Sequence, residues 1–190
     1  RAAARTRSGT LAQRDPTGYY SERARAILQK QSVLYASPSF DLGYDLARER
    51  PEAETWLRRT FALPPETVLA SYGELGSDAR FQRANAYWAL GMYTQARNEM
   101  EDLRESVSAD VVATYRIMNR SLELGMYRTA ILAARQILTL ASLDDAASLN
   151  APVYFNHIRF GAYYKEPVLS AAAEADFNPL LLFSVMRQES

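Results

Sequence analysis

Four residues, Leu90-Gly91-Met92-Tyr93, return as Leu124-Gly125-Met126-Tyr127, 34 residues further on. Each copy sets an alanine three residues after its tyrosine, Ala96 and Ala130. A period of this length corresponds to one helical hairpin. Glycine lets the chain reverse tightly, because it lacks the Cβ that disfavours positive φ. The small alanine lets the second helix approach the first. Helical spacing holds on both sides of the turn, with Phe81, Ala84, Tyr87 and Trp88 before it and Ala96, Met100 and Leu103 after it. A hairpin of this kind cannot bury its apolar face alone, so hairpins must stack. Apolar and polar residues never alternate for long, which leaves little room for strands. The expected fold is all-α, built from helical hairpins.

The Gly-x-Tyr-x-x-Ala core resembles the inter-helix turn of tetratricopeptide repeats. Ala84 and Tyr87 stand where that repeat has a small residue and a tyrosine, but the second copy has Met118 and Ser121 there. Two units at most are legible, against the roughly three an independent stack needs. The resemblance implies a superhelix of tetratricopeptide-like hairpins.

Taken in order, the pattern predicts a helix over 19–31, with Tyr20, Ala24, Ile27 and Leu28 on one face. Further helices are expected over 40–48 and, after a turn at Glu49-Arg50-Pro51, up to about Phe61 with Ala53, Trp56 and Leu57 buried. Leu63-Pro64-Pro65-Glu66 opens a helix carrying Val68, Leu69 and Tyr72, ended by Gly73 and Gly76. Helices over 80–90, 94–103, 111–124 and 128–140 follow. Periodicity fades between Asp144 and Pro152, where small polar residues collect, and a domain boundary is expected there. The chain then divides into 1–14, a linker or cut helix; 15–150, an α-superhelical repeat domain; and 151–190, the start of a second domain. The arginines at 1, 5, 7 and 14 are read as part of that linker or as a binding arm. A chain that opens on Arg1 is read as a piece of a longer polypeptide, so a leader segment is not expected within it.

The last stretch, 177–190, reads FNPLLLFSVMRQES. Asn178 suits an N-cap and Pro179 the first helical position. At helical spacing Leu182, Val185 and Met186 share a face with Glu189, while Leu180, Phe183 and Arg187 lie on another. An ionised carboxylate on an apolar face is costly unless paired or hydrated, so its pKa is expected to rise, as a general acid requires. A glutamate also opposes the dipole at a helix C-terminus, so the helix is expected to continue past it. Periodicity alone leaves Glu189 open between this role, a surface position on a frayed turn, and a buried partner for an arginine.

The string over 172–190, AAEADFNPLLLFSVMRQES, resembles the opening of the soluble lytic transglycosylase (SLT) domain: an alanine-rich helix, an Asx-Pro turn, and an apolar helix ending in Arg-Gln-Glu-Ser. Upstream, Gly18-Tyr19-Tyr20 followed by Arg23-Ala24-Arg25-Ala26-Ile27-Leu28 is similar to a string that precedes that domain in the family. The resemblance implies that 151–190 begins a lysozyme-like catalytic domain. It implies cleavage of the β-1,4 bond between N-acetylmuramic acid (MurNAc) and N-acetylglucosamine (GlcNAc) in peptidoglycan, without consumption of water, to leave a 1,6-anhydro ring. Glu189 matches the family's single catalytic carboxylate, acid then base. Ser190 matches the serine after it, either shaping the substrate site or structural. The expected partners are peptidoglycan glycan strands, with cell-wall proteins met through the superhelix. The expected location is the periplasm or cell envelope, and no cofactor is implied. The family's Gly-Leu-Met-Gln segment does not occur, so the 190 residues alone are expected to be catalytically silent.

Basic and acidic residues balance at 22 each, which argues against a nucleic-acid binder. There is no cysteine and a single histidine, His157, so a metal site is not expected and His157 is read as packed or at the surface. No apolar run is long enough to cross a membrane. Trp56 and Trp88, which could stack on sugars, are read as core, and the aromatic run 154–164 as packing between the superhelix and the catalytic domain. Glu101 and Arg104 are read as a solvated face. Two other functions stay open: a helical-repeat scaffold that binds proteins, and a lysozyme-like hydrolase.

Overall fold

A computed structural model describes residues 18–30, 41–176 and 178–189. Among these residues there are nine α-helices and no strand, so the chain is all-α. They are α1 (Tyr19–Leu28), α2 (Leu46–Thr60), α3 (Ala79–Ala89), α4 (Tyr93–Ser106), α5 (Val111–Glu123), α6 (Tyr127–Leu140), α7 (Val153–Arg159), α8 (Lys165–Glu174) and α9 (Pro179–Glu189). The chain forms two compact units, one of 1–43 with 145–147, the other of 44–144 with 148–190.

In the first unit α1 buries Ser21 and Ala24, while Tyr20 is 77% and Ile27 55% exposed. Of the face expected to be apolar and covered, Ala24 is the fully buried member. The expectations for 1–14 lie outside the described residues.

In the second unit the hairpins α3–α4 and α5–α6 fall where the repeat puts them. Both turns have the same construction. Gly91 and Gly125 take φ of +75° and +73°. Met92 N–H donates to Tyr87 O and Met126 N–H to Ser121 O, each at 2.8 Å, and the glycine N–H groups donate to Trp88 O and Leu122 O at 3.0 Å. This pair of bonds satisfies the last carbonyls of a helix and requires a left-handed residue between them. Two further helices end with the same long bond. In α2 the left-handed residue is Ala62, with Leu63 N–H donating to Arg58 O; in α6 it is Ser142, with Leu143 N–H donating to Leu138 O.

Two cores result. Leu75, Phe81, Ala84, Ala96, Met100 and Leu103 form one, closed by Ala113, Ile117 and Met126. The other joins Ala53 and Leu57 of α2, Val111, Tyr115 and Met118 of α5, Ala130 to Leu138 positions of α6, and Tyr154, Phe155 and Ile158 of α7. Helix α5 feeds both, which is why eight of its residues are buried. A chain of polar bonds runs through the second core. Tyr115 hydroxyl and Arg50 Nε both donate to Glu54 Oε1, at 2.9 and 2.8 Å, Asn119 Nδ2 donates to Tyr115 O at 2.9 Å, and Tyr154 hydroxyl donates to Asn119 Oδ1. Burial pushes the Tyr154 phenol up to about 12.

Three local expectations are corrected. The separate helices over 40–48 and 51–61 are one helix, α2. Asp45 caps it, accepting from Arg48 N–H at 3.1 Å, while Glu49 accepts from Asp45 N–H at 3.3 Å. With the start fixed so early, Pro51 falls in the second turn and removes a single ladder bond, to Ala47 O. The helix expected over 63–72 is a run of turns leading to a short 3₁₀ segment, Gly73–Ser77. Its carbonyls are served by arginines instead: Arg58 Nη2 donates to Thr67 O at 2.9 Å and Arg116 Nη2 to Val68 O at 2.7 Å. Glu101 and Arg104 are not a solvated face. The Arg104 side chain is 13% exposed and ties α4 to α6, donating to Glu101 at 2.9 Å and to Gln136 Oε1 at 2.8 Å.

Helix α7 shares its core with α2, α5 and α6, so 44–144 and 148–190, on either side of that stretch, belong to one compact unit. A separate domain over 151–190 rests on the resemblance at 172–190. No described helix is long and apolar enough to cross a membrane.

Candidate active site

The candidate site stands on α8 and α9, which pack against each other. Helix α8 buries Val168 and Ala172 and ends at Ala175, after which Asp176 turns left-handed at φ +52°. Asn178 then caps α9, its Oδ1 accepting from Leu180 N–H at 2.9 Å, and Pro179 opens the helix. The missing N–H of proline costs nothing there, because the first helical N–H groups have no intrahelical partner.

Leu182, Val185 and Met186 line an open apolar trough of about 360 Å³ with Tyr164, Pro167, Val168 and Ala171. Position 189, the last residue of α9, continues the row of Leu182, Val185 and Met186 at helical spacing. Ser190 lies outside the described residues.

Arg187 lies on another side of α9. Its Nη1 donates to the carbonyl of Arg159, and its guanidinium carbon sits 4.5 Å from the centroid of the Phe160 ring. The Arg159 guanidinium lies 4.9 Å from the same centroid. Three carbonyls at the end of α7 thus have hydrogen-bond partners. Asn156 O accepts from Phe160 N–H at 2.8 Å, Ile158 O accepts from Tyr163 hydroxyl at 2.6 Å, and Arg159 O accepts from Arg187. A cation at a helix C-terminus also meets the negative end of its dipole.

Around this end the aromatic run separates into two kinds. Tyr154 and Phe155 are core, while Phe160 and Tyr164 are exposed. Tyr163 stacks on Tyr127 at 4.1 Å, and burial pushes its phenol above the usual range, with Arg187 pulling it back. His157 is packed and paired. Its Nδ1 lies 2.9 Å from Glu49 Oε2, and Tyr44 stacks on its ring at 5.0 Å. Trp56 packs between Phe61 and Phe155, and Trp88 stands edge-on to Tyr93. Among the described residues no cluster of three or more His, Asp or Glu is arranged to hold a metal ion.

Sequence reasoning put Leu182, Val185 and Met186 on one face, as the trough has them, but missed the contacts of Arg187. The available signal was that Leu180, Phe183 and Arg187 share a face, which requires a surface to receive it. No family model matches the chain, and no curated protein and no solved structure matches it.

Proposed function

We propose that this chain carries the first part of a peptidoglycan lytic transglycosylase site, with Glu189 as its acid and base. The observation that carries the reading is the string over 172–190 together with the helix, tight turn and capped helix on which it lies. Leu182, Val185 and Met186, two turns and one turn before position 189, line an apolar trough.

In the reaction, protonated Glu189 gives its proton to the glycosidic oxygen as the bond from MurNAc C1 breaks. GlcNAc leaves with a free 4-hydroxyl. The resulting carboxylate takes the proton of the muramoyl 6-hydroxyl, whose oxygen bonds to C1 and closes the 1,6-anhydro ring. Glu189 ends protonated, and no water enters. Glycosidases that add water place a second carboxylate nearby. Here the substrate's 6-hydroxyl does that work, aided by its N-acetyl group, so one glutamate suffices. Ser190 shapes the substrate site. The partners are glycan strands and the location is the cell envelope.

The test is mass analysis of muropeptides released from peptidoglycan by the protein that carries this chain. Anhydro products, 18 Da lighter than hydrolytic ones, are expected, and Glu189→Gln should lower turnover by at least about 10³-fold without unfolding. Hydrolytic products would point to a lysozyme-like hydrolase, and retained turnover in Glu189→Gln would remove the glutamate from the mechanism. A second reading, a protein-binding helical scaffold, is favoured by the apolar exposure of Leu90, Met92 and Tyr93 at the first repeat turn.

A further inference from the structure

We propose that Arg187 is a positioning residue, fastening α9 to the end of α7 so that the hairpin core sets where position 189 stands. The proposal rests on the reading of Glu189 given above.

The argument begins with how α9 is held. Its extensive helix contact is with α8, and α8 itself buries little beyond Val168 and Ala172. The row of Leu182, Val185 and Met186 borders an open trough, with Val185 half-exposed. Such a pair has limited means to fix its own orientation.

Arg187 supplies a link of another kind. It reaches the Arg159 carbonyl and covers Phe160. Both residues end α7, and α7 is seated in the core through Tyr154, Phe155 and Ile158. The bond is charge-assisted and closes a carbonyl that the helix cannot satisfy itself. It therefore has a defined direction as well as a strength, and the cation–π contact with the Phe160 ring adds a second point of hold.

The link also acts at the right place. Position 189 is two residues beyond Arg187, about 200° around the helix axis and about 3 Å along it. An anchor there constrains both the rotation and the tilt of the last turn. Catalytic groups misplaced by about 1 Å lose on the order of 10²-fold in rate, so a fixed last turn matters to an acid that must reach one oxygen.

The experiment compares Arg187→Met, which keeps length but removes the donors, with Arg187→Lys, which keeps a cation able to reach one carbonyl. Both are made in the protein that carries this chain. Hydrogen exchange of the α9 amides should rise about tenfold in Arg187→Met with α3 to α6 unchanged, and Arg187→Lys should restore part of the protection. The kcat of Arg187→Met should fall about 10- to 100-fold with KM within twofold, again partly recovered by lysine. Unchanged exchange in α9 overturns the anchor. Raised exchange with unchanged kcat overturns the positioning role and leaves a structural bond. Retained turnover in Glu189→Gln overturns the mechanism, and the exchange measurement then still judges the anchor by itself.

Discussion

Adding one methyl group at Gly161 should destabilise the second unit. A Cβ built there would stand 2.8 Å from His157 O, 2.9 Å from the Tyr44 hydroxyl and 2.9 Å from Tyr163 Cζ. Carbon contacts are favourable only from about 3.5 Å, so three neighbours must retreat together. None is a loose side-chain end. His157 O belongs to the last turn of α7. The Tyr44 hydroxyl accepts from Ala162 N–H at 3.1 Å while its ring stacks on His157. Tyr163 is held by its bond to Ile158 O and its stack on Tyr127. Overpacking of this kind costs about 1–3 kcal/mol, and one lost hydrogen bond adds about 1 kcal/mol. Replacing glycine restricts the unfolded chain and returns about 0.4–1 kcal/mol. The net loss for Gly161→Ala is therefore about 1–3.6 kcal/mol, or a drop in Tm of a few to somewhat over ten degrees. Urea unfolding followed by tryptophan fluorescence should show a lower midpoint with an unchanged slope. Stability within about 0.5 kcal/mol of the parent would refute the packing argument. A second arm uses Tyr44→Phe, which removes one of the three obstacles. Gly161→Ala should cost less in that background than in the parent, and full additivity would exonerate the Tyr44 hydroxyl.

Two other expectations concern ordinary stability. Ala62 and Ser142 occupy the left-handed position that Gly91 and Gly125 fill elsewhere, so Ala62→Gly and Ser142→Gly should each stabilise by about 0.5–1 kcal/mol in chemical denaturation; destabilisation would mean the strain is absent. The second is acid sensitivity at the α3–α4 hairpin. The hydrogen bond from Arg80 holds the Asp78 carboxyl below its usual value, and that from Arg83 does the same for Glu99. Folded values below unfolded ones mean stability that is present above the unfolded carboxylate range and lost as pH falls through the folded values. Below about pH 4 the parent should lose stability more steeply than the double variant Asp78→Asn with Glu99→Gln, and parallel curves would dismiss the two pairs as contributors.

The hairpins were legible because their signals are local. A glycine at the reversal, an alanine at the crossing and apolar spacing on either side leave one economical backbone. Most failures arose where a distant group decided the outcome. Residues 63–72 have enough apolar positions for a helix, but Arg58 and Arg116, from α2 and α5, take the carbonyls of Thr67 and Val68, so the segment needs no helical ladder. Pro51 looked like a helix start because Asp45 was not recognised as the earlier cap. Arg104 looked solvated because nothing near it in sequence announces Gln136. At the candidate site the row of Leu182, Val185 and Met186 followed from spacing alone. The tie between Arg187 and Arg159, 28 residues apart, had no local signature.

The pairing of α2 with α7 has a consequence for how the protein is made. Ala53, Leu57 and Trp56 leave the ribosome long before Tyr154, Phe155 and Ile158, which complete their enclosure. About a hundred residues, and so roughly 5–20 seconds of synthesis, separate the two. Meanwhile α3 to α6 can close from neighbouring segments, since local contacts form first. The nascent chain thus carries an incompletely covered apolar helix face ahead of a folded middle until α7 is made.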